Sequence, residues 1–341
     1  MTCDWHLLTL AQRPAWRPAV TQLIEDAFKY QAPYHFAEDF YPLLAPENAA
    51  HNYLILQGDT LIGHIGIRLV DLAYGAQQVP AAFLGGLAMR QDYRGKGIFK
   101  AALAHVLQLY EQQVGLFVLW SDQAELYAKF NFWQAGLVLQ LGEGGDPAAA
   151  LLRDGWRKYI PRDFSDPLGR QIPPLYHAWA QEFIFVKRTI SDWKMLAKIT
   201  SAYFLVHPAE RENANPQEAK IDAYCVIGKG FDLGHVIHEI GGQPTQLAPW
   251  VRHMQNYKLW LPGSTLWQQR YPEAKPLYTG LLRRGNFTLL EPFLKILAPE
   301  KQKDLKQIYQ DQEDQLFWQS LFGPGENTLL PPLYISGLDS I

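Results

Sequence analysis

The stretch QDYRGKGIFKAAL, residues 91–103, has an arginine, two glycines and two lysines next to an apolar run. Apolar residues recur over 99–110 at three- and four-residue spacing, which predicts a helix that begins just after Gly97. The first N–H groups of a helix have no partner within the helix and carry the positive end of its dipole. Glycines let this backbone approach an anion closely, and Arg94 and Lys96 add positive charge. The stretch therefore predicts a cradle for a phosphate or pyrophosphate.

Two common nucleotide-binding motifs do not fit these residues. A P-loop requires G-x-x-x-x-G-K-[ST], and a dinucleotide fingerprint requires G-x-G-x-x-G. Gly95 and Gly97 are followed by Lys100 where the third glycine of the fingerprint would fall. A basic, solvent-exposed turn without a ligand remains the structural alternative.

Composition limits the classes of protein to which the chain can belong. Its 341 residues predict two domains, and 48% hydrophobic with 19% charged residues predicts a substantial core. A net charge of -3 gives no basic field, so we expect no nucleic-acid partner. Two cysteines, Cys3 and Cys225, make a disulfide framework unexpected. Without a signal-peptide core or a membrane-length apolar run, we expect no membrane association and a cytoplasmic location.

The first part of the chain alternates strands and helices. Strand, glycine turn, helix and strand in this order predict an α/β fold with a mixed sheet that contains a parallel pair. The predicted strands are 52–59, 61–75, 79–90, 114–121 and 135–142, and a short helix lies within 124–132.

LAMRQDYRGKGIF, residues 87–99, resembles motif A of the Gcn5-related N-acetyltransferases (GNAT), [Q/R]-x-x-G-x-[G/A]. Arg94 fills its first position and Gly97 its fourth, whereas Phe99 replaces the small final residue. This departure is expected to move the chain slightly at the pyrophosphate.

A second landmark of the family is a tyrosine in a YEKxGF-like helix. LYAKFNF matches it at Tyr127, and Asn131 stands where glycine is usual. Asparagine tolerates the left-handed conformation of a helix end. The resemblance covers roughly residues 5–142 and implies a GNAT fold.

The resemblance implies acetyl-CoA, or another acyl-CoA, as donor and no metal. In the family a splayed strand binds the pantetheine through its backbone, which here is Leu87, Ala88 and Met89, and the Met89 N–H is the candidate oxyanion donor. The pyrophosphate would lie on the amides of the glycine loop, which are those of Arg94, Gly95, Lys96, Gly97, Ile98 and Phe99.

The implied reaction is direct attack of an amine on the thioester. Tyr127 occupies the position of the general acid of the family, and a phenol remains protonated at neutral pH. A core aromatic whose hydroxyl reaches solvent is the alternative for this residue.

The general base and the acceptor side are less defined. Glu38 and Asp39 follow a helix predicted over residues 19–30, where they could attract or deprotonate an amine, or simply begin a second helix. Asp122 is another carboxylate near the expected cleft. Trp120 and Ser121 beside it could line that cleft or merely end the strand.

The rest of the chain repeats the order of elements without the motif. Residues 143–180 are predicted to be a connector with one short helix, Ala148–Tyr159, between a domain at 1–142 and a second at 181–341. A helix over 190–199 would begin at an N-cap, Ser191. We predict a second, degenerate GNAT-like domain, since the matching place, IGGQPTQL, lacks R-x-x-G. This order is similar to that of the enhanced-intracellular-survival acetyltransferases and the N-myristoyltransferases.

Two motifs in the second part imitate functional sites. GKG at 228–230 lies between two predicted strands and is more typical of a hairpin turn than of a phosphate loop. HVIHE at 235–239 resembles metal-binding spacing, but alternation along a strand would separate the imidazoles of His235 and His238. We therefore expect no metal site.

The last residues, LPPLYISGLDSI at 330–341, are unusually apolar for a chain end and predict a final strand. In the two tandem families the terminal carboxylate resembles a base at the active site, which would here be that of Ile341. An edge strand that only completes the second domain is the alternative.

The sequence therefore predicts an acetyl-CoA-dependent N-acetyltransferase that acts on a small or peptidic amine. Two alternatives remain. One is a non-catalytic acyl-CoA-binding protein, favoured by the departures at Phe99 and Asn131. The other is a tandem-domain transferase that uses aminoacyl-tRNA, against which the glycine loop and the absence of a basic surface argue.

Overall fold

Two mixed β-sheets form the framework of the protein. The structure is a computed structural model that describes residues 5–209, 220–230, 232–311, 313–323 and 328–341. Its strands are β1 His6–Thr9, β2 Asn52–Gln57, β3 Thr60–Tyr74, β4 Gln77–Met89, β5 Leu116–Leu119, β6 Trp133–Ala135, β7 Val138–Leu141, β8 Arg157–Tyr159, β9 Phe185–Lys187, β10 Tyr203–Pro208, β11 Ile221–Ile227, β12 Ile237–Gly242, β13 Leu259–Pro262, β14 Lys275–Leu277 and β15 Gly280–Arg284.

The α-helices cover the sheets. They are α1 Arg17–Phe28, α2 Phe36–Asp39, α3 Tyr41–Leu44, α4 Ile98–Tyr110, α5 Ala124–Ala128, α6 Pro147–Arg153, α7 Ile172–Trp179, α8 Ile190–Leu196, α9 Pro244–Met254, α10 Thr265–Arg270, α11 Phe287–Leu294, α12 Pro299–Gln310 and α13 Asp314–Phe322. Among the described residues, no helix combines the length and the apolar character that a membrane span needs.

The first sheet carries the glycine loop. Its strand order is β1-β2-β3-β4-β5-β15-β6, and β9 pairs with β3. Because β4 and β5 are parallel, they need a crossover connection, which α4 supplies. Buried apolar residues of α4 pack on this sheet, and this packing fixes the helix N-terminus at the end of β4. The predicted mixed α/β sheet with a parallel pair is confirmed.

A bulge distorts β4 close to its end. Gly66 of β3 pairs with Gly85 and His64 pairs with Ala88, so two residues of β4 oppose one of β3. Gly86 within the bulge has φ +59°, and the His64 ring hydrogen-bonds to its carbonyl through Nδ1 at 2.7 Å. The pairing of β4 with β5 ends at Leu84, although β4 continues to Met89. The last residues of β4 therefore border a gap.

The second sheet has the order β14-β7-β13-β12-β11-β10-β8. Its strands are antiparallel except for β12 and β13, which pair in parallel across α9. This repeats the parallel pair and crossover helix of the first sheet, and the predicted second GNAT-like unit is thereby confirmed as a fold.

The two sheets exchange strands. Strand β7, from the part predicted as the first domain, lies in the second sheet between β13 and β14. Strand β15 comes from the second part and lies in the first sheet between β5 and β6. The division into domains at residues 142 and 181 stays a prediction. Strand pairing in both sheets joins segments from the two sides of these boundaries.

Three local predictions are wrong. The helix expected over Ala148–Tyr159 ends at Arg153, and the chain then enters β8. Thr189, rather than Ser191, caps α8, because its side chain and that of Asp192 form a reciprocal capping box. The expected final strand is reduced to one parallel bridge between Ile184 and Leu333, and the tail beyond it folds into a turn held by side chains.

One of the two cysteines lies in the described framework. Cys225 lies in β11 and is buried with a free thiol. Cys3 lies outside the described residues.

Candidate active site

A cavity of about 1160 Å³ opens where β4 loses β5 as its neighbour. The bulge and end of β4 form one wall, and the residues after β5 together with Tyr127 form another. The glycine loop lies at one end, and the tail of the chain, including Ile341, closes against the bulge. Loop, tyrosine and tail thus share one space.

The glycine loop has the geometry of an anion cradle. Gly95 and Gly97 have φ +75° and +77°, and a Cβ on either would meet no atom within 4 Å. Their backbone therefore faces open space that a side chain would occupy. Gly97 is the N-cap of α4, a helix of 13 residues, so its first N–H groups point toward this space.

Arg94 and Lys96 contribute differently to the loop. The N–H of Arg94 donates to the carbonyl of Gln91, and its Nε donates to the carbonyl of Met89 at 3.0 Å. The guanidinium is thereby fixed at the end of β4. Lys96 is exposed and its ammonium lies 4.8 Å from the centre of the Tyr93 ring.

The predicted donor residues fall into two groups. Leu87, Met89, Arg94, Gly95, Gly97 and Phe99 line the cavity. Ala88, Lys96 and Ile98 are not among its lining residues; Ala88 and Ile98 pack into the core instead. This division follows from the alternation of side chains along a strand and from the apolar face of α4.

Tyr127 lies on the cavity wall and is 7% exposed. Its ring contacts Phe132 edge-on, with centroids 6.3 Å apart. Burial, with a smaller contribution from the charge of Asp122, raises the pKa of Tyr127 to about 12. Asn131, which follows α5 (Ala124–Ala128) after two residues, has φ +60°, a left-handed conformation that asparagine tolerates. A phenol in this place keeps its proton throughout the neutral range.

Three residues that follow β5 line the cavity. Trp120, Ser121 and Asp122 all contribute to its wall. The indole N–H of Trp120 donates to the carbonyl of Thr279 at 2.8 Å, and the hydroxyl of Ser121 accepts from the N–H of Gln123. The side chain of Asp122 is exposed.

Glu38 and Asp39 are engaged elsewhere. Glu38 is exposed and accepts from the Thr200 hydroxyl at 3.0 Å. Asp39 is buried and accepts from the hydroxyls of Tyr30, at 2.6 Å, and Ser201. Neither is among the residues that line the cavity. Both carboxylates join α2 to the second part of the chain, a role that spacing along the sequence could not reveal.

The tail reaches the bulge of β4. Ile341 is 8% exposed and lines the same cavity as Tyr127. A Cβ placed on Gly85 would lie 2.6 Å from the backbone carbonyl carbon of Ile341. Only a glycine at position 85 permits this approach.

A buried charge cluster anchors the tail. Arg188 donates to both carboxylate oxygens of Glu239, at 2.9 and 2.5 Å, and to Asp339 of the tail, at 2.7 Å. All three side chains are 0% exposed. Arg68 of β3 adds a hydrogen bond to the Asp339 carbonyl at 3.3 Å. The cluster thus joins both sheets to the tail.

Lys229 holds the turn of the tail from the other side. Its ammonium donates to the carbonyls of Gly337, at 2.9 Å, and Ser340, at 2.5 Å. It also lies 4.3 Å from the centre of the Phe40 ring. Burial lowers the pKa of Lys229 to about 7, with a further contribution from Arg68. The tail is therefore fastened at both Asp339 and its last residues.

Sequence reasoning missed these anchors. Lys229 was part of a predicted turn, and β11 and β12 are indeed antiparallel neighbours. The sequence indicates only a metal-like spacing for His238 and Glu239, whereas in the structure the His238 ring hydrogen-bonds to the Gly228 carbonyl and Glu239 pairs with Arg188. Within the described part of the chain, no group of three or more His, Cys, Asp or Glu could hold a metal ion. The sequence feature that could have revealed these anchors is a charged residue inside an otherwise apolar strand.

Comparison with known proteins finds a family model that matches part of the chain. Residues 13–135 match a family model described as an acetyltransferase (GNAT) domain. No curated protein sequence matches the chain with significance.

Solved structures share the fold at low sequence identity. A GCN5-related N-acetyltransferase from Kribbella flavida is 14% identical, covering 82% of this chain and 71% of that one, with a TM-score of 0.57. One from Anabaena variabilis is 16% identical over 83% and 73%, with a TM-score of 0.53. Saccharomyces cerevisiae N-myristoyltransferase with bound myristoyl-CoA is 10% identical over 84% and 80%, with a TM-score of 0.50.

We predict that Glu239→Gln destabilises the fold by about 3 kcal/mol or more, because it leaves the buried charge of Arg188 only partly compensated. Urea denaturation measures this change. Asp92→Asn serves as control: its pair with Arg90 is exposed, and its loss should change stability little. Equal effects of the two substitutions would contradict the role of the cluster.

The same variant should alter the pH dependence of stability. Burial by itself would raise the pKa of Glu239, but the Arg188 guanidinium outweighs it and holds that pKa below the usual 4.5. A depressed carboxyl pKa stabilises above the unfolded value and loses this contribution as pH falls through the folded value. The free energy of unfolding should therefore fall less steeply below about pH 4.5 in Glu239→Gln than in wild type.

Proposed function

Because residues 13–135 belong to the GNAT acetyltransferase family, we propose that this chain transfers an acyl group from acyl-CoA to an amine. Acetyl-CoA is the expected donor. The observation that carries the proposal is a single cavity that joins the glycine loop to Tyr127. An anion cradle at one end and a protonated phenol along the wall are the two features that a thioester of CoA requires.

The donor site fits a pyrophosphate followed by a thin chain. The glycine backbone at 95 and 97 faces open space next to the N-terminus of α4, which favours an anion. Leu87 and Met89, at the end of β4, border the gap beyond the bulge. Backbone groups of this segment would hold the pantetheine, with the N–H of Met89 as proposed donor to the thioester oxygen.

The bound donor supplies a thioester carbonyl to which an amine adds with loss of the thiolate. The bond from nitrogen to carbon forms while the bond from carbon to sulfur breaks, the nitrogen gives up one proton, and the sulfur gains one. We propose that Tyr127 gives its proton to the sulfur. Its raised pKa keeps this proton available at neutral pH.

We propose the terminal carboxylate of Ile341, in a chain that ends there, as acceptor of the amine proton. Its support is position, since Ile341 lies against Gly85 and lines the same cavity as Tyr127. Asp122, also on the cavity wall, is the alternative acceptor. Glu38 and Asp39 lose support as candidates because Thr200, Tyr30 and Ser201 engage them.

Replacing Gly97 by leucine should weaken CoA binding at least about tenfold, because the side chain would fill the cradle. Isothermal titration with CoA measures the affinity. Gly75→Leu is the matched control: Gly75 also has positive φ, at +56°, and open space around its Cβ position. Backbone strain is common to both variants, so equal CoA affinity in the two would contradict the cradle.

Replacing Tyr127 by phenylalanine should lower turnover by roughly 10²–10⁴, because it removes the proton donor and keeps the ring. CoA affinity should change little. Tyr271→Phe, which alters a similarly buried tyrosine outside the cavity lining, is the control. If release of free CoA in the presence of an accepted amine is as fast in Tyr127→Phe as in wild type, the acid lies elsewhere.

Adding one glycine after Ile341 should abolish most turnover and spare CoA binding. The extension moves the terminal charge by about 3.5 Å, enough to misplace a base. Ile341→Val, which retains the carboxylate at the same position, should remain active. Normal turnover by the extended protein would transfer the role to Asp122, which Asp122→Asn then tests.

A further inference from the structure

One part of the cavity lining comes from elements that do not carry the proposed donor residues. This acceptor arm, as we name it, has walls from α1, α2, the segment after β11, β13 and the tail. Its lining residues are Phe28, Phe36, Phe40, Leu233, Trp260 and Ile335. They belong to none of the elements that carry the proposed donor residues.

Aromatic rings dominate one wall of the arm. Phe36 stacks on Phe40 with centroids 4.7 Å apart and planes 27° apart, and Phe28 lies 5.9 Å from Phe36. Phe36 is buried, whereas Phe28 is 42% exposed. Covering a large exposed apolar side chain on a cavity wall with a ligand is favourable, because it removes apolar surface from water.

The charged groups near this wall differ in whether they are free to contact a ligand. Lys229 lies behind Phe40 with its ammonium bound to the tail, and Asp39 accepts from Tyr30 and Ser201. Asp232 lines the cavity with an exposed side chain. Partial enclosure raises its pKa and Lys229 opposes this rise. One carboxylate at the rim of an apolar arm suits a ligand with one cationic group.

We propose that the acceptor arm binds a small primary amine carried on an aromatic ring, an arylalkylamine, and that Asp232 attracts its ammonium. The proposal rests on the proposed function and narrows its acceptor. The ring covers the wall of Phe28 and Phe36, while the amine, after losing a proton, faces the centre between Tyr127 and Ile341. Polyamines are disfavoured, since a further charge placed on the wall of Phe36 and Phe40 would lose its hydration there.

Acceptor competition tests this inference. With acetyl-CoA as donor, 2-phenylethylamine should be acetylated with a kcat/KM at least about tenfold above those of ethylamine and spermidine. The wall rather than the donor side must produce this preference. In Phe28→Ala, the ratio of kcat/KM for phenylethylamine to kcat/KM for ethylamine should therefore fall at least about fivefold.

Leu152→Ala is the matched control, since Leu152 is 41% exposed and lies outside the cavity lining. It should leave the ratio unaltered. Asp232→Asn should lower kcat/KM for both monoamines by a similar factor and keep their ratio, because it removes attraction for the ammonium and no ring contact.

Several results overturn the inference without touching the proposed function. They are equal or faster turnover of ethylamine or spermidine, and acetylation of a Phe-initiated peptide but not of phenylethylamine. A third is a Phe28→Ala effect confined to octanoyl-CoA against acetyl-CoA, which would make the arm an acyl-chain pocket.

A separate readout keeps the two proposals distinguishable. Calorimetry of the CoA-bound protein with phenylethylamine and ethylamine reports acceptor binding without turnover. Absence of CoA binding overturns the proposed function. CoA binding without selective binding of phenylethylamine overturns the acceptor class alone.

Discussion

The buried pairing of Arg188 with Glu239 and Asp339 is the constraint on which the site depends. Arg188 follows β9 of the first sheet, Glu239 lies on β12 of the second, and Asp339 lies in the tail. Charges removed from water are tolerated only when they are matched and hydrogen-bonded. The rings of Tyr176 and Trp193 cover the guanidinium, at 4.0 and 4.6 Å from its carbon. Although burial opposes it, the two carboxylates raise the pKa of Arg188 well above its usual value, so its charge is permanent.

This pairing explains why an irregular tail can be buried. The segment after Leu333 has little strand pairing to satisfy its backbone. Lys229 instead donates hydrogen bonds to the tail carbonyls of residues 337 and 340, and the Tyr334 hydroxyl donates to the carbonyl of His238. Side chains thus satisfy groups that a sheet would otherwise pair. The outcome is that Ile341 packs against Gly85 at the bulge.

The strand exchange extends the same dependence to the sheets. Strand β15 covers the edge of β5, the strand whose end borders the cavity, and the Thr279 carbonyl just before β15 accepts from Trp120. The cavity therefore has walls from both parts of the chain. The proposed reaction centre and the proposed acceptor arm are therefore complete only when the second part is folded on the first.

The sequence by itself determined the local structure of the proposed donor side, because its signals are local. Two glycines before an amphipathic helix specify a cradle through backbone conformation and helix polarity, which depend on neighbours a few residues away. Tyr127 and the left-handed Asn131 follow from one short helix. The tertiary structure alone decided where the tail lies, which side chains anchor it and which residues line the proposed acceptor arm. Arg188 and Asp339 are 151 residues apart, and Lys229 and Ser340 are 111 apart. Glu38 and Asp39 were candidate catalytic residues in the sequence because their hydrogen-bond partners could not be recognised there. These partners, at 200 and 201, are 162 residues away. Charge pairing over such distances leaves no period or motif in the sequence, since it depends on how the two sheets pack.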